Sequence, residues 1–131
     1  MLYKISQDKK RLIEQKKEKI LQLIQKQKEL ITLFFNDDLL IIGSYIETKV
    51  KCGKKGCHCE NKPIHQITKL SKWEGKKLKN KIVRVSDRQW VKEFSDNYKK
   101  YKKALSDYEK IFNEIKSIMK AITNLKAILY K

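Results

Sequence analysis

Arginine is nearly missing from a chain that is otherwise crowded with positive charge: three arginines (Arg11, Arg84, Arg88) stand against 29 lysines. Guanidinium forks make the bidentate contacts by which proteins read bases, so their scarcity argues against strong sequence specificity. Proline is as scarce. Pro63 is the only one, and the four glycines (Gly43, Gly53, Gly56, Gly75) share its central stretch, so nothing on either side breaks a helix. Apolar runs reach four residues, as in Leu39-Leu40-Ile41-Ile42, against roughly 20 for a membrane-spanning helix. Met1-Leu2-Tyr3-Lys4 leads straight into charged residues without a signal pattern, and three cysteines cannot all pair in one chain. A cytoplasmic protein is expected rather than a secreted disulfide scaffold.

Catalytic constellations are missing too. Both histidines sit in the cysteine segment, Ser86 and Ser106 have no triad context, and Asp37-Asp38 reads as a helix stop. No P-loop, dinucleotide glycine pattern or H-E-x-x-H helix occurs, so the chain is not expected to be an enzyme.

What is present is charge and helical periodicity. The net charge is +17, from 32 basic and 15 acidic side chains. Such an excess attracts polyanions, nucleic acid first and an anionic membrane surface second. In residues 1–38, Ile13, Ile20, Ile24, Ile31 and Phe34 recur at helical steps after Ser6, a helix-capping residue, and Asn36-Asp37-Asp38 ends the run. Residues 39–86 change character: Leu39–Val50 has strand-like content, and Gln66–Trp73 and Leu78–Val85 flank Glu74-Gly75-Lys76-Lys77 as a β-hairpin. In residues 87–131, Ser86-Asp87-Arg88-Gln89 forms a capping box ahead of Phe94, Tyr98, Tyr101, Leu105, Tyr108, Phe112, Ile115, Met119 and Ile122. Only Lys126 breaks that series, and Ile111, Ile118 and Leu125 add a second line.

Cys52, Cys57, Cys59 and His65 fall within fourteen residues, as C-x4-C-x-C-x5-H. Three thiolates and an imidazole make the tetrahedral N/S set preferred by Zn²⁺, and a closed shell marks a structural site. His58 is the alternative fourth ligand, but it lies between two ligating cysteines and would have to fold back on a tight turn. The fold expected from these parts is mainly α with a small β zinc head: a long antiparallel helical hairpin (coiled coil) capped by a three-stranded Cys3His segment.

The runs Gly43-Ser44-Tyr45-Ile46-Glu47 and Cys52-Gly53-Lys54-Lys55-Gly56-Cys57-His58-Cys59, with His65, resemble a family of small uncharacterised bacterial and archaeal proteins. Its members carry a C-G-K-x-G-C-x-C…H motif and end in a long helix; the similarity spans residues 43–112. The resemblance implies that the three cysteines and His65 act together, that a strand pair precedes the helix, and that the chain is accessory to a mobile-element or nucleoprotein system. After His65 the family's glycine, proline and aromatics give way to Gln66-Ile67-Thr68-Lys69-Leu70.

Ten lysines and only two acids (Glu60, Glu74) lie between Lys51 and Lys81. Lys54, Lys55, Lys69, Lys72, Lys76, Lys77, Lys79, Lys81 and Arg84 are the expected nucleic-acid contacts, made to phosphates through this head. Trp73 at the turn is read as packing the hairpin onto the helix rather than as a base-stacking platform, and Trp90 as core. Because the first helical pattern is shorter than the second, Ile111, Ile118, Met119, Ile122 and Leu125 are expected to pair with a second copy. The functional expectation is a zinc-containing nucleic-acid-binding protein, with DNA favoured slightly over RNA. The competing reading is a coiled-coil assembly protein whose lysines only keep it soluble.

Overall fold

The computed structural model describes residues 3–51, 53–57, 62–63 and 65–130. Helix α1 spans Gln7–Thr32, strands β1, β2 and β3 span Ser44–Val50, His65–Glu74 and Lys77–Ile82, and helix α2 spans Arg88–Lys126. Two compact units result. One comprises residues 37–100; the other comprises residues 1–36 and 101–131.

In the unit of residues 37–100 the strands form an antiparallel sheet in the order β1-β2-β3. Thr48 pairs with Ile67 and Trp73 with Leu78, so residues directly opposite share a face. Gly75 and Lys76 make the β2–β3 turn, and the φ of +63° at Gly75 suits a tight hairpin turn that favours glycine first. Trp90 and Val91, in the first turns of α2, line one cavity with Leu70 and Lys81, on the sheet face that also bears Tyr45 and Thr68. Ser95 joins them. Its buried hydroxyl donates to the Gly43 carbonyl at 2.9 Å and accepts from the Tyr45 amide at 3.2 Å. The Ile41 amide donates to the Phe94 carbonyl and Asn97 Nδ2 to the Leu39 carbonyl, at 3.1 and 3.2 Å. Val83, Val91, Thr68 and Ser95 are buried here. Gly43 is required by close approach: at its φ of +148°, an added Cβ would stand 3.0 Å from Leu70 Cγ and 3.1 Å from the Ser71 carbonyl oxygen.

In the other unit, Ser6 caps α1 by accepting from the Lys9 amide at 3.2 Å. A 3-10 turn at Leu33–Phe35 ends the helical run before Asn36. Tyr101 meets this end, its hydroxyl 3.0 Å from the Leu33 carbonyl and 2.6 Å from Asn36 Oδ1, with its ring edge-on to Phe34. Lys19 reaches Glu114 at 4.0 Å. Among the described residues of this unit, the buried hydrophobic ones are Leu23 and Ala104. Lys126, which interrupts the apolar series, is the last residue of α2.

The expected coiled-coil hairpin with a zinc-built cap is therefore corrected. The helices are connected through a sheet, and that sheet is held by its ladders and by the contacts to α2 around Ser95. Apolar seam residues between α1 and α2 are mostly half-buried, so no continuous heptad core forms. No group of three or more metal-ligating side chains occurs among the described residues. The capping box also shifts: Val85–Asp87 is a 3-10 turn, and α2 begins at Arg88.

Candidate nucleic-acid interface

The register divides the hairpin's chemistry between two faces. Lys49, Lys72, Lys77, Lys79 and Lys81 fall on the face that α2 partly covers, together with Glu47 and Glu74. Glu74 holds Lys79 at 2.8 Å and Lys72 at 3.4 Å. Hydrogen bonds from Lys79 first, then Lys72, keep the Glu74 carboxyl below the ordinary carboxylate range. Lys77 and Lys81 are exposed and have no carboxylate within 4 Å among the described residues. Lys76 occupies the turn, and Arg84 is exposed just beyond β3.

The opposite face carries no carboxylate and mixes apolar with polar residues, Ser44, Thr48 and His65 among the latter. β1 contributes Ile46 and Val50, β2 contributes Ile67, Lys69, Ser71 and Trp73, and β3 contributes Leu78, Asn80 and Ile82. Ser71 Oγ donates to Asn80 Oδ1 across the strands. Trp73 is 68% exposed, Leu78 48% and Ile82 65%. The packing role expected for Trp73 is thus overturned: its position in the register turns it away from α2. Trp90 is likewise no core residue. It is 46% exposed, lies edge-on to Phe94 and donates to Asp87 Oδ1 at 3.1 Å.

Of the proposed metal ligands, Cys52 and Cys59 lie outside the described residues, as does His58. Cys57 and His65 come together, with Sγ 3.1 Å from Nε2. Two ligands of one tetrahedral Zn²⁺, at about 2.3 Å for sulfur and about 2.0 Å for nitrogen, stand roughly 3.5 Å apart, so this pair needs only a small adjustment to share an ion. Lys54 and Lys55 are exposed in the turn just before Cys57.

A family model described as a domain of unknown function, DUF6788, matches residues 9–93, more than half of the chain. The chain belongs to the DUF6788 family. No curated protein and no solved structure matches it. The DUF6788 match takes in α1 from its third residue, the whole sheet and the start of α2 with Trp90; Ser95, which joins α2 to β1, falls just beyond it.

Of the residues expected to bind a second copy, Ile111, Ile118, Ile122 and Leu125 are half-buried, while Met119 is 56% exposed. Leu105, Tyr108 and Phe112 are exposed as well. Sequence periodicity merged these residues with their inward-facing neighbours, because one stripe on α2 is wider than α1 covers. Ser95 also escaped sequence reasoning. A serine between Phe94 and Asp96 carries no signal in a helical pattern, and only the tertiary fold brings Gly43 and Tyr45 to it.

Proposed function

We propose that the protein binds nucleic acid through the phosphate backbone, with the lysine-bearing hairpin of β2 and β3 as its contact surface. The supporting observation is the alternation of Lys77, Lys79 and Lys81 along exposed β3, with Arg84 just past its end. Side chains spaced two residues apart, about 6.6 Å along a strand, match the pitch of successive phosphates in an extended strand. DNA is favoured slightly over RNA, and modest sequence specificity follows from the shortage of arginine. Zn²⁺ enters as a local clasp on the β1–β2 connection, held by Cys57 and His65 with Cys52 and Cys59. It is not the organiser of the sheet.

Fluorescence anisotropy with labelled oligonucleotides across a salt series tests this. Each phosphate neutralised adds about 0.7–0.9 to the slope of log affinity against log salt. Reversing Lys77, Lys79 and Lys81 to Glu should abolish binding and leave the fold intact. Absence of binding at low salt, to single strands and duplexes alike, refutes the proposal.

The second reading is assembly, favoured by the exposed stripe Leu105, Tyr108, Phe112 and Met119 on α2. Glu109 and Lys116 flank it, so two copies running in opposite directions set each glutamate against the other chain's lysine. Sedimentation of a Phe112→Asp variant separates the readings: assembly is lost in the second, and nucleic-acid binding is unchanged in the first.

A further inference from the structure

Phosphate contact alone leaves half of the hairpin unused. On the face away from α2, Trp73 opposes Leu78, and Ile82 stands opposite Lys69. All three apolar side chains are solvent-exposed. A protein this charged gains nothing from an exposed indole in a lysine-rich ribbon unless something covers it. Two copies stacked on this face would bring Lys69 toward Lys69 with no acid present to compensate. An acidic partner that offers flat apolar rings suits the face; a duplex, whose bases are paired and stacked, does not.

We infer that the face of the sheet bearing Trp73, Leu78 and Ile82 is a base-stacking platform for single-stranded nucleic acid, with Trp73 as its anchor. This rests on the nucleic-acid reading and specifies its strand state. β3 lies at the edge of the sheet. A strand laid along that edge sets its phosphates beside Lys77, Lys79 and Lys81 and folds its bases over Leu78 onto Trp73. Lys69 sits among the apolar residues and meets a phosphate or a base edge further along. From Trp73 to His65 the face is about 26 Å long at about 3.3 Å per residue, room for about four unstacked nucleotides.

The test is binding of a short oligothymidylate and of a duplex of equal length to the wild type, Trp73→Ala and Trp73→Phe. Stacking predicts that Trp73→Ala weakens the single strand by about tenfold or more, that duplex affinity moves less than twofold, and that Trp73→Phe recovers most of the loss. It also predicts quenching of wild-type tryptophan fluorescence by the oligothymidylate and little quenching of Trp73→Phe. An alanine variant that binds the single strand as well as the wild type overturns the platform while leaving phosphate binding in place. Loss of duplex and single-strand affinity in equal measure overturns it too. If the wild type binds neither probe, the nucleic-acid reading itself has failed. If Trp73→Ala converts a sedimenting dimer to a monomer with oligonucleotide affinity retained, the face belongs to a second copy and the inference is wrong.

Discussion

Replacing Ser95 by alanine removes one oxygen and strands two backbone groups. The hydroxyl accepts from the Tyr45 amide at 3.2 Å and donates to the Gly43 carbonyl at 2.9 Å, in a site from which solvent is fully excluded. Water cannot replace it without opening the contact between α2 and β1. A buried donor or acceptor left unpaired costs about 1–3 kcal/mol. The longer amide bond sits at the low end, so the pair together comes to about 2–4 kcal/mol. Alanine's better helix propensity returns only about 0.5 kcal/mol. Urea unfolding followed by tryptophan fluorescence is the suitable assay, because Trp73 and Trp90 both belong to the unit of residues 37–100. With a urea slope of about 1–3 kcal/mol per molar, the midpoint should fall by roughly 0.5–3.5 M. An unchanged midpoint would show that β1 is held to α2 by other contacts, and would falsify the account of this joint.

Other perturbations have defined outcomes. Gly43→Ala places a methyl 3.0 Å from Leu70 Cγ and 3.1 Å from the Ser71 oxygen at a φ of +148°; thermal unfolding should register a loss of about 1–3 kcal/mol, and an unaltered transition would contradict the close approach. Glu74→Gln frees Lys79 and Lys72 from their shared carboxylate, so oligonucleotide affinity at low salt should rise, with a steeper salt dependence; weaker binding would show that Glu74 positions the lysines instead. Glu74's lowered pKa also sets a pH sign: its stabilising pairs are fully present above its unfolded value and vanish as pH falls through the lowered one, so a Glu74→Gln variant should show a flatter acid limb in a pH–stability profile. Native mass spectrometry should find one Zn²⁺ per wild-type chain and less on Cys57→Ser or His65→Ala. A metal-free wild type with an intact sheet would eliminate the clasp.

Local signals were the legible part of this chain. Ser6 announced the start of α1, Asn36 the end of the helical run that closes in the 3-10 turn, and Glu74-Gly75-Lys76-Lys77 the hairpin, because caps and turns are settled by the residues themselves. Failures came where tertiary context decides. The seven-residue periodicity of α2 implied one seam, yet its first turns lie on a sheet face, and Leu105, Phe112 and Met119 remain exposed. Trp73 looked like packing material because an aromatic beside a turn has no sequence mark for the face it takes. That face follows from the register Trp73↔Leu78, which a single strand's pattern of alternation cannot supply. Cysteine spacing suggested an organising metal, but ligand spacing says nothing about whether the surrounding strands could hold together by hydrogen bonds.

The lysine alternation of β3 has a further consequence, for what the protein avoids. An exposed outer strand is a template to which another chain can add, and each added strand exposes the next. With Lys77, Lys79 and Lys81 along it, a second copy docking edge to edge would crowd ammonium groups at every other position. Like charge along this edge thus disfavours the addition of a fourth strand at β3.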